Sequence, residues 1–463
     1  MATMLAAERP RAGSVTEESI IARLERLPAT RWHLRIRAII AVATFFDGYD
    51  AVAIAFVLPA LIGLWHLKSD EIALLISAGF AGQLIGAAAF GWLAERYGRI
   101  VVLNWTIIIL AVFGLACAFA ASYWQLVGLR FFQGLGIGGE IPVAATFIAE
   151  IASAPRRGRF LLLYQLLLPL GFMAASVSSI WIVPHLGWQW MFIIGAAPAI
   201  LVAFLRRLVP ESPRWLARSG RLAEADATTT RIEQEVTRDL GKPLPEPAQS
   251  VTTEAKQVGR PGELFEGIYL RRTLSVWAIW FCAAMVGYGL LVWLPTIFRT
   301  VYKMPVSEAL LYSSVGNIAV LFTGLASALL IDRLGRKPIF ITGFLLGGLP
   351  LLVVWLIGKD VSAMTLMVMA AISAASMSMV QLSVWTYTPE IYPTRIRSFG
   401  AGTASAWARL ASIIAPNLVA FLLVRTEIGG IFLALAVFAF IGALVVFLFA
   451  VETRKRLLEE ISP

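Results

Sequence analysis

Twelve apolar runs decide what this chain can fold into. A helix that crosses a bilayer needs about 20 mostly apolar residues. Runs of that kind cover roughly 36–64, 72–94, 100–121, 125–152, 160–183, 187–206, 273–298, 308–331, 338–358, 361–390, 398–425 and 428–451. Of 463 residues, 59% are hydrophobic and only 15% charged, and the mean hydropathy is +0.77. A soluble chain is nearer half apolar and one quarter charged, so much of this surface must face lipid. A secreted disulfide scaffold, a disordered protein and an ordinary cytosolic enzyme are excluded.

The net charge of +10 would suggest nucleic acid as the partner of a soluble protein. Here its placement points to membrane topology instead, because Lys and Arg accumulate in cytoplasmic loops. With the N-terminus inside, the inner segments hold Arg96, Arg99, Arg156, Arg157, Arg159, Arg333, Arg336, Lys337, Arg395 and Arg397 among others. The outer segments hold only Lys68, Arg299, Lys303, Lys359 and Arg425. Both termini are therefore expected in the cytoplasm, in a multi-pass plasma-membrane protein. Glu8, Arg9, Arg11, Glu17 and Glu18 precede any apolar run, so no signal peptide is expected. Residues 19–27 are predicted to form a short amphipathic surface helix. Cys117 and Cys282 sit singly inside apolar runs and read as packing residues. His33, His66 and His185 lie at segment ends without ligand spacing, so neither a metal nor a cofactor is expected. A monomer is the expected state.

The two halves repeat each other. Glu95-Arg96-Tyr97-Gly98-Arg99 joins spans 2 and 3, and Asp332-Arg333-Leu334-Gly335-Arg336-Lys337 joins spans 8 and 9. Glu150 with Pro155-Arg156-Arg157-Gly158-Arg159 ends span 4, and Glu390 with Pro393-Thr394-Arg395-Ile396-Arg397 ends span 10. Two matches in register argue for a duplicated six-helix unit, a mark of many transporters. The expected fold is an all-α membrane protein, with twelve transmembrane helices in two six-helix lobes around a central cavity. Its parts are a cytoplasmic N-terminal segment (1–35), a first lobe (36–206), a central loop (207–272), a second lobe (273–451) and a cytoplasmic tail (452–463). The central loop opens with Pro210-Glu211-Ser212-Pro213-Arg214, continues as a helical run to about Asp239, and turns Pro- and Gly-rich over 241–262.

These motifs resemble the major facilitator superfamily over essentially the whole chain. Glu95 departs from the usual Asp, and Ile100 from the usual final basic residue, which implies a weaker charge network in the first half. Three further motifs resemble its sugar-porter, organic-ion and synaptic-vesicle-protein branch. They are Arg130-Phe-Phe-Gln-Gly134-Leu-Gly136-Ile-Gly138-Gly139-Glu140-Ile-Pro142-Val143, Pro210-Glu211-Ser212-Pro213-Arg214, and Tyr387-Thr-Pro389-Glu390-Ile-Tyr-Pro393-Thr394-Arg395. Asp47-Gly48-Tyr49-Asp50 is similar to the Asp-Gly-x-Asp of aromatic-acid/proton symporters, and the Gly-Gly-Glu-Ile-Pro-Val string to bacterial niacin permeases. The resemblance implies a secondary transporter that imports nicotinate or a similar small aromatic carboxylate by proton symport with alternating access. Its rivals are a benzoate-type acid, another organic ion or a sugar. A rival of another class is a transporter-like receptor that binds without flux. No His/Glu metal constellation and no Gly-x-Ser-x-Gly occur, so an enzyme is not expected.

Ionisable groups deep in lipid cost about 2.5–3.5 kcal/mol each on insertion scales and default to function. Five occur: Asp47, Asp50, Arg130, Glu140 and Arg409. At about 1.5 Å per residue, Asp47, Glu140 and Arg409 share a depth near the midplane. Asp47 and Asp50, three apart, share a helix face. Two close carboxylates disfavour joint ionisation, which suits a proton carrier. The resemblance to sugar porters implies that Asp50 and Arg130 form a proton-sensitive pair; the plain alternative is a structural ion pair. Arg409 can hold a substrate carboxylate by two parallel hydrogen bonds, or it can permanently neutralise Asp47 or Glu140.

An aromatic ligand needs aromatic walls and a few polar groups. Gln381 and Trp385 share a face of span 10; Tyr288 and Trp293 lie in span 7, Tyr164 and Gln165 in span 5, and Asn317 in span 8. For each, an interhelical hydrogen bond or simple packing is the alternative. Glu95, Arg96, Arg99, Asp332, Arg333 and Arg336 read as a cytoplasmic gate that pairs when the inner side closes, with Glu150, Arg159, Glu390 and Arg397 doing the same. Gly134, Gly136, Gly138 and Gly139 allow close backbone approach or bending. A phosphate cradle is unsuited to them, because no strand precedes them and they lie in lipid.

Overall fold

The computed structural model describes residues 15–152, 164–246, 260–393 and 395–454. Eleven helices among them are long and apolar enough to cross a membrane. They are α2 (Arg31–Trp65), α3 (Ser69–Tyr97), α4 (Arg99–Ala118), α5 (Tyr123–Ile151), α6 (Leu167–His185), α11 (Gly267–Thr300), α12 (Val306–Leu334), α13 (Arg336–Ile357), α14 (Ala363–Glu390), α15 (Arg397–Arg425) and α16 (Glu427–Phe449). No strand occurs among the described residues.

The run at 187–206 does not form the single helix its hydropathy predicts. It is split into α7 (Gln189–Gly195) and α8 (Ala199–Leu208) by a turn over Ala196, Ala197 and Pro198. Pro198 has no N–H to continue α7 and sits instead at the start of α8.

The other departures are at the ends. The helix α11 starts at Gly267, six residues before the apolar run, and α2 starts at Arg31. Their basic first turns remain helical because long cationic side chains reach water from there. The short N-terminal helix α1 (Glu17–Glu25) does not lie alone on the membrane surface. It buries Ile20 and Leu24 and is tied to α9 (Pro213–Arg218) and α10 (Leu222–Leu240) of the central loop. Arg23 pairs with Asp226 and with Glu233 (2.7 Å), and Arg214 pairs with Glu25 (2.6 Å). The main chain of Trp32 donates to Asp239 (2.7 Å).

The duplication is visible in the packing. Helix α2 packs on α6, α3 on α5, and α4 on α5, α7 and α8. The same relations recur as α11 on α15, α12 on α14, and α13 on α14 and α16. The halves meet along α3 with α15, α6 with α12, and α2 with α11. Lipid supplies little hydrophobic drive between helices, so close backbone approach matters. A Cβ on Gly134 or Gly138 would collide with the Gly79 or Gln83 carbonyl oxygen of α3. A Cβ on Gly48 or Gly171 would do the same between α2 and α6. At the end away from the arginine motifs, two polar contacts join the halves. Asn417 donates to Ser77 Oγ (2.7 Å), and Ser77 donates to the Ile413 carbonyl (3.0 Å).

Candidate functional site

A cavity of about 100 Å³ lies between the halves. One wall is α6, with Pro169 and Phe172, and Gln165 just before it. The other walls carry Tyr288 of α11, Asn317 of α12, and Gln381 and Trp385 of α14. Gln381 donates to the Ala283 carbonyl (3.0 Å), which orients its amide. Trp385 is held edge-on by Trp280, ring centroids 4.8 Å apart. Tyr288 meets Phe80 of α3 edge-on at 5.1 Å, an aromatic contact across the halves. Arg409 of α15 stands behind Tyr288 beside Ser412, without lining the cavity itself. Among the described residues its guanidinium bonds within its own helix, to Ser405 Oγ (3.2 Å) and the Ser405 carbonyl (3.4 Å). No ion pair to Asp47 or Glu140 forms, so the neutralising role is not seen. Equal depth along two helices did not bring these groups together, because depth fixes neither azimuth nor lobe.

Five of the residues grouped from the sequence thus share one cavity. Trp293 and Tyr164 do not. Trp293 is fully buried, and its indole nitrogen has no hydrogen-bond partner. Tyr164 is buried against α2, where its hydroxyl meets Thr44 Oγ1 (2.5 Å).

The acids of α2 fall into two nests. Asp47 faces Glu140 of α5, and Thr44 donates to Glu140 Oε1 (3.0 Å). Asp50 lies instead beside Gln133 of α5, in space left by Gly114 and Gly195. Arg130 reaches this second nest, but it does not pair with the Asp50 carboxylate. Its Nη1 donates to Gln133 Oε1 (2.6 Å) and to the Asp50 main-chain carbonyl (3.5 Å). Its guanidinium also lies over Phe192, 5.9 Å from the ring centroid. All four charged groups are buried.

The description "Sugar (and other) transporter" fits a family model that matches residues 36–463. The chain belongs to that family. It is a transporter of the major facilitator type. The niacin transporter NiaP of Acinetobacter baylyi is 33% identical over 449 residues, covering 96% of this chain and 99% of that one. A synaptic vesicle 2-related protein of Xenopus laevis is 29% identical, covering 95% and 82%. The fold matches a partially occluded inward-open xylose transporter XylE from E. coli, with a TM-score of 0.74 at 20% identity over 92% of this chain and 99% of that one.

In this member of the sugar (and other) transporter family, the repeated arginine motifs build one network per half. The buried Arg99 donates to Glu95 (2.8 Å), Glu150 (3.0 Å) and the Ala94 carbonyl (2.7 Å). Arg336 grips both oxygens of Glu390 (2.8 and 3.1 Å). Glu95, in place of the usual Asp, still reaches Arg99 in the first network. Glu150 is held by Arg99 and Glu390 by Arg336. Arg397 donates to the Tyr392 carbonyl (3.3 Å), and Arg159 lies outside the described residues. Arg96 and Arg333 are exposed, outside the networks; Arg96 lies against Trp92 and Tyr97. The side chain of Asp332 lies outside the described residues.

Four partners were missed in the sequence. Thr44 and Gln133 are neutral, and neutral polar residues are ordinary in buried helices. Glu211 and Glu452 sit at matching places after each half and cap the first turn of α4 and of α13. Glu211 accepts from the main chain of Arg99 (2.9 Å) and Ile100 (3.1 Å), and Glu452 from Arg336 (3.0 Å) and Lys337 (2.9 Å). The signal was present as Pro210-Glu211-Ser212 against Val451-Glu452-Thr453. Burial pushes the Glu211 carboxyl above the usual glutamate range, despite its main-chain donors. Burial acts on Glu452 too, but donors from Arg336, Arg454, Lys337 and Thr453 outweigh it and hold the carboxyl low.

Proposed function

We propose that this transporter imports nicotinate or a closely similar small aromatic carboxylate, coupled to protons, by alternating access. The carrying observation is the cavity. It sets aromatic faces (Phe172, Tyr288, Trp385) beside three amides (Gln165, Asn317, Gln381), with a guanidinium free of carboxylate partners one side chain away. A cavity of about 100 Å³ offers roughly seven to ten water-sized positions, the size class of nicotinate. Amides can serve a ring nitrogen and a carboxylate oxygen alike, and Arg409 supplies the fork for the anion. Amides would also serve sugar hydroxyls; a half-buried cation with no acid among the described residues beside it favours an anion. The similarity to a niacin transporter over nearly the whole of both chains supports the same choice. The coupled proton belongs to the buried acids of α2 and α5, with Arg130. The arginine-rich loops face the cytoplasm, and their networks open and close that side.

The test is equilibrium binding of radiolabelled nicotinate to the purified protein, competed by benzoate, nicotinamide and xylose. Displacement by benzoate but not by xylose is expected. Displacement by xylose alone, or no nicotinate binding, would refute the substrate class.

A further inference from the structure

The structure holds two acidic nests, and they are not equivalent. Resting on the symport reading above, we infer that the transported proton is held between Asp47 and Glu140, and that Tyr164 links its presence to the cavity wall.

Asp47 and Glu140 are 0% and 1% exposed, with their carboxyl groups in hydrogen-bond reach of each other. Both oxygens of Asp47 and Oε2 of Glu140 find no donor. The Thr44 hydroxyl has one hydrogen, and it goes to Glu140 Oε1. The Tyr164 hydroxyl must therefore donate to Thr44. The order Tyr164 to Thr44 to Glu140 leaves the carboxyl pair facing each other with acceptors only. One proton on either carboxyl turns that contact into an O–H···O bond; its departure leaves two facing anions.

The groups around the pair offer no other remedy. Asp50 faces it from α2 and Tyr164 from the segment leading into α6, and neither is cationic. Arg130 of α5 is turned to Gln133 and the Asp50 carbonyl. The Asp50 carboxylate oxygens also find no donor, but the Arg130 guanidinium and the Gln133 side chain lie in that nest, whereas Asp47 and Glu140 have neither a cation nor an amide beside them.

The pair also has a mechanical route to the substrate. Tyr164 adjoins Gln165, which lines the cavity. Gly48 and Gly171 seat α2 and α6 main chain against main chain, so α6 moves with α2. Two residues past Glu140, Pro142 removes one main-chain hydrogen bond from α5, a place for that helix to bend. Repulsion between the two anions would drive α2 from α5 and carry the cavity wall along.

The experiment is infrared difference spectroscopy of the full-length, monodisperse protein during a pH titration, reading the C=O stretch of protonated buried carboxyl groups. It needs no substrate, so its outcome is separate from the nicotinate assignment. The wild type should show such a band that disappears on alkalinisation. Asp47→Asn and Glu140→Gln should each abolish it, and Asp50→Asn should leave it. A band that survives both of the first two variants and vanishes in Asp50→Asn overturns the proposal, as does a wild type without any band. Tyr164→Phe should keep the band and keep substrate exchange at equal pH. It should cut proton-driven accumulation of nicotinate by up to about tenfold, on the scale of one lost hydrogen bond between neutral groups. Accumulation at the wild-type level in Tyr164→Phe would remove the link to the cavity.

Discussion

A guanidinium can hold a carboxylate by two parallel hydrogen bonds where an ammonium offers a point charge, and the role proposed for Arg409 depends on that difference. Arg409→Lys should weaken nicotinate binding by about tenfold, near 1.4 kcal/mol, and leave binding of the neutral amide of the same ring unchanged. Equal losses for both ligands in a binding assay would mean that Arg409 only supports the helix. Gln133 sits between Arg130 and the Asp50 nest. Gln133→Leu takes that acceptor from the buried Arg130, at a cost of about 1–3 kcal/mol for one unsatisfied group, so thermal unfolding should move to a lower temperature. An unchanged transition would show that water replaces the amide. The five ionisable residues were legible because a charge in an apolar run is costly. Their partners were not, because a hydroxyl or amide in such a run is cheap and says nothing about where it points.

The helix-joining motifs turn on one residue each. Gly98 and Gly335 have φ of +106° and +96°, a region open essentially to glycine alone. A Cβ there would also press on the carboxylate of Glu211 or Glu452. Gly98→Ala or Gly335→Ala should cost about 1–3 kcal/mol, read as lower thermal stability; wild-type stability would show that the loops relax freely. The two capping glutamates should differ in pH response. The folded Glu452 carboxyl is held below its unfolded value, so its contribution is present above the ordinary value of about 4.3 and is lost as pH falls through the folded one. Glu452→Gln should therefore melt below the wild type at pH 7, and the gap should close in acid. A gap that widens in acid would reverse the assignment. Most elements could be read from hydropathy, since length and apolarity suffice for a spanning helix. The break at Pro198 escaped that reading because proline barely alters an average over twenty residues. The docking of α1 escaped because its partners lie about 200 residues away.

Two six-helix units with matching pairings give the molecule two faces that can part and close. The sequence showed the duplication through its arginine motifs, and the helix pairings repeat it. It could not show which ends of the halves meet, since that is one state among those the bundle can adopt. In this state Ser77, Ile413 and Asn417 join the halves away from the basic loops. Asn417→Ala should loosen that closure by about 1 kcal/mol. Combined with Ala73→Cys as a reporter, it should speed labelling by a membrane-impermeant maleimide about fivefold; an unchanged rate would place the gate elsewhere. The function proposed above has these faces alternate around an aromatic carboxylate and carry protons with it. Purified protein in liposomes should accumulate radiolabelled nicotinate above equilibrium when the outside is acid, and should lose the accumulation when the gradient is collapsed. Binding without flux, or flux indifferent to the gradient, would contradict it.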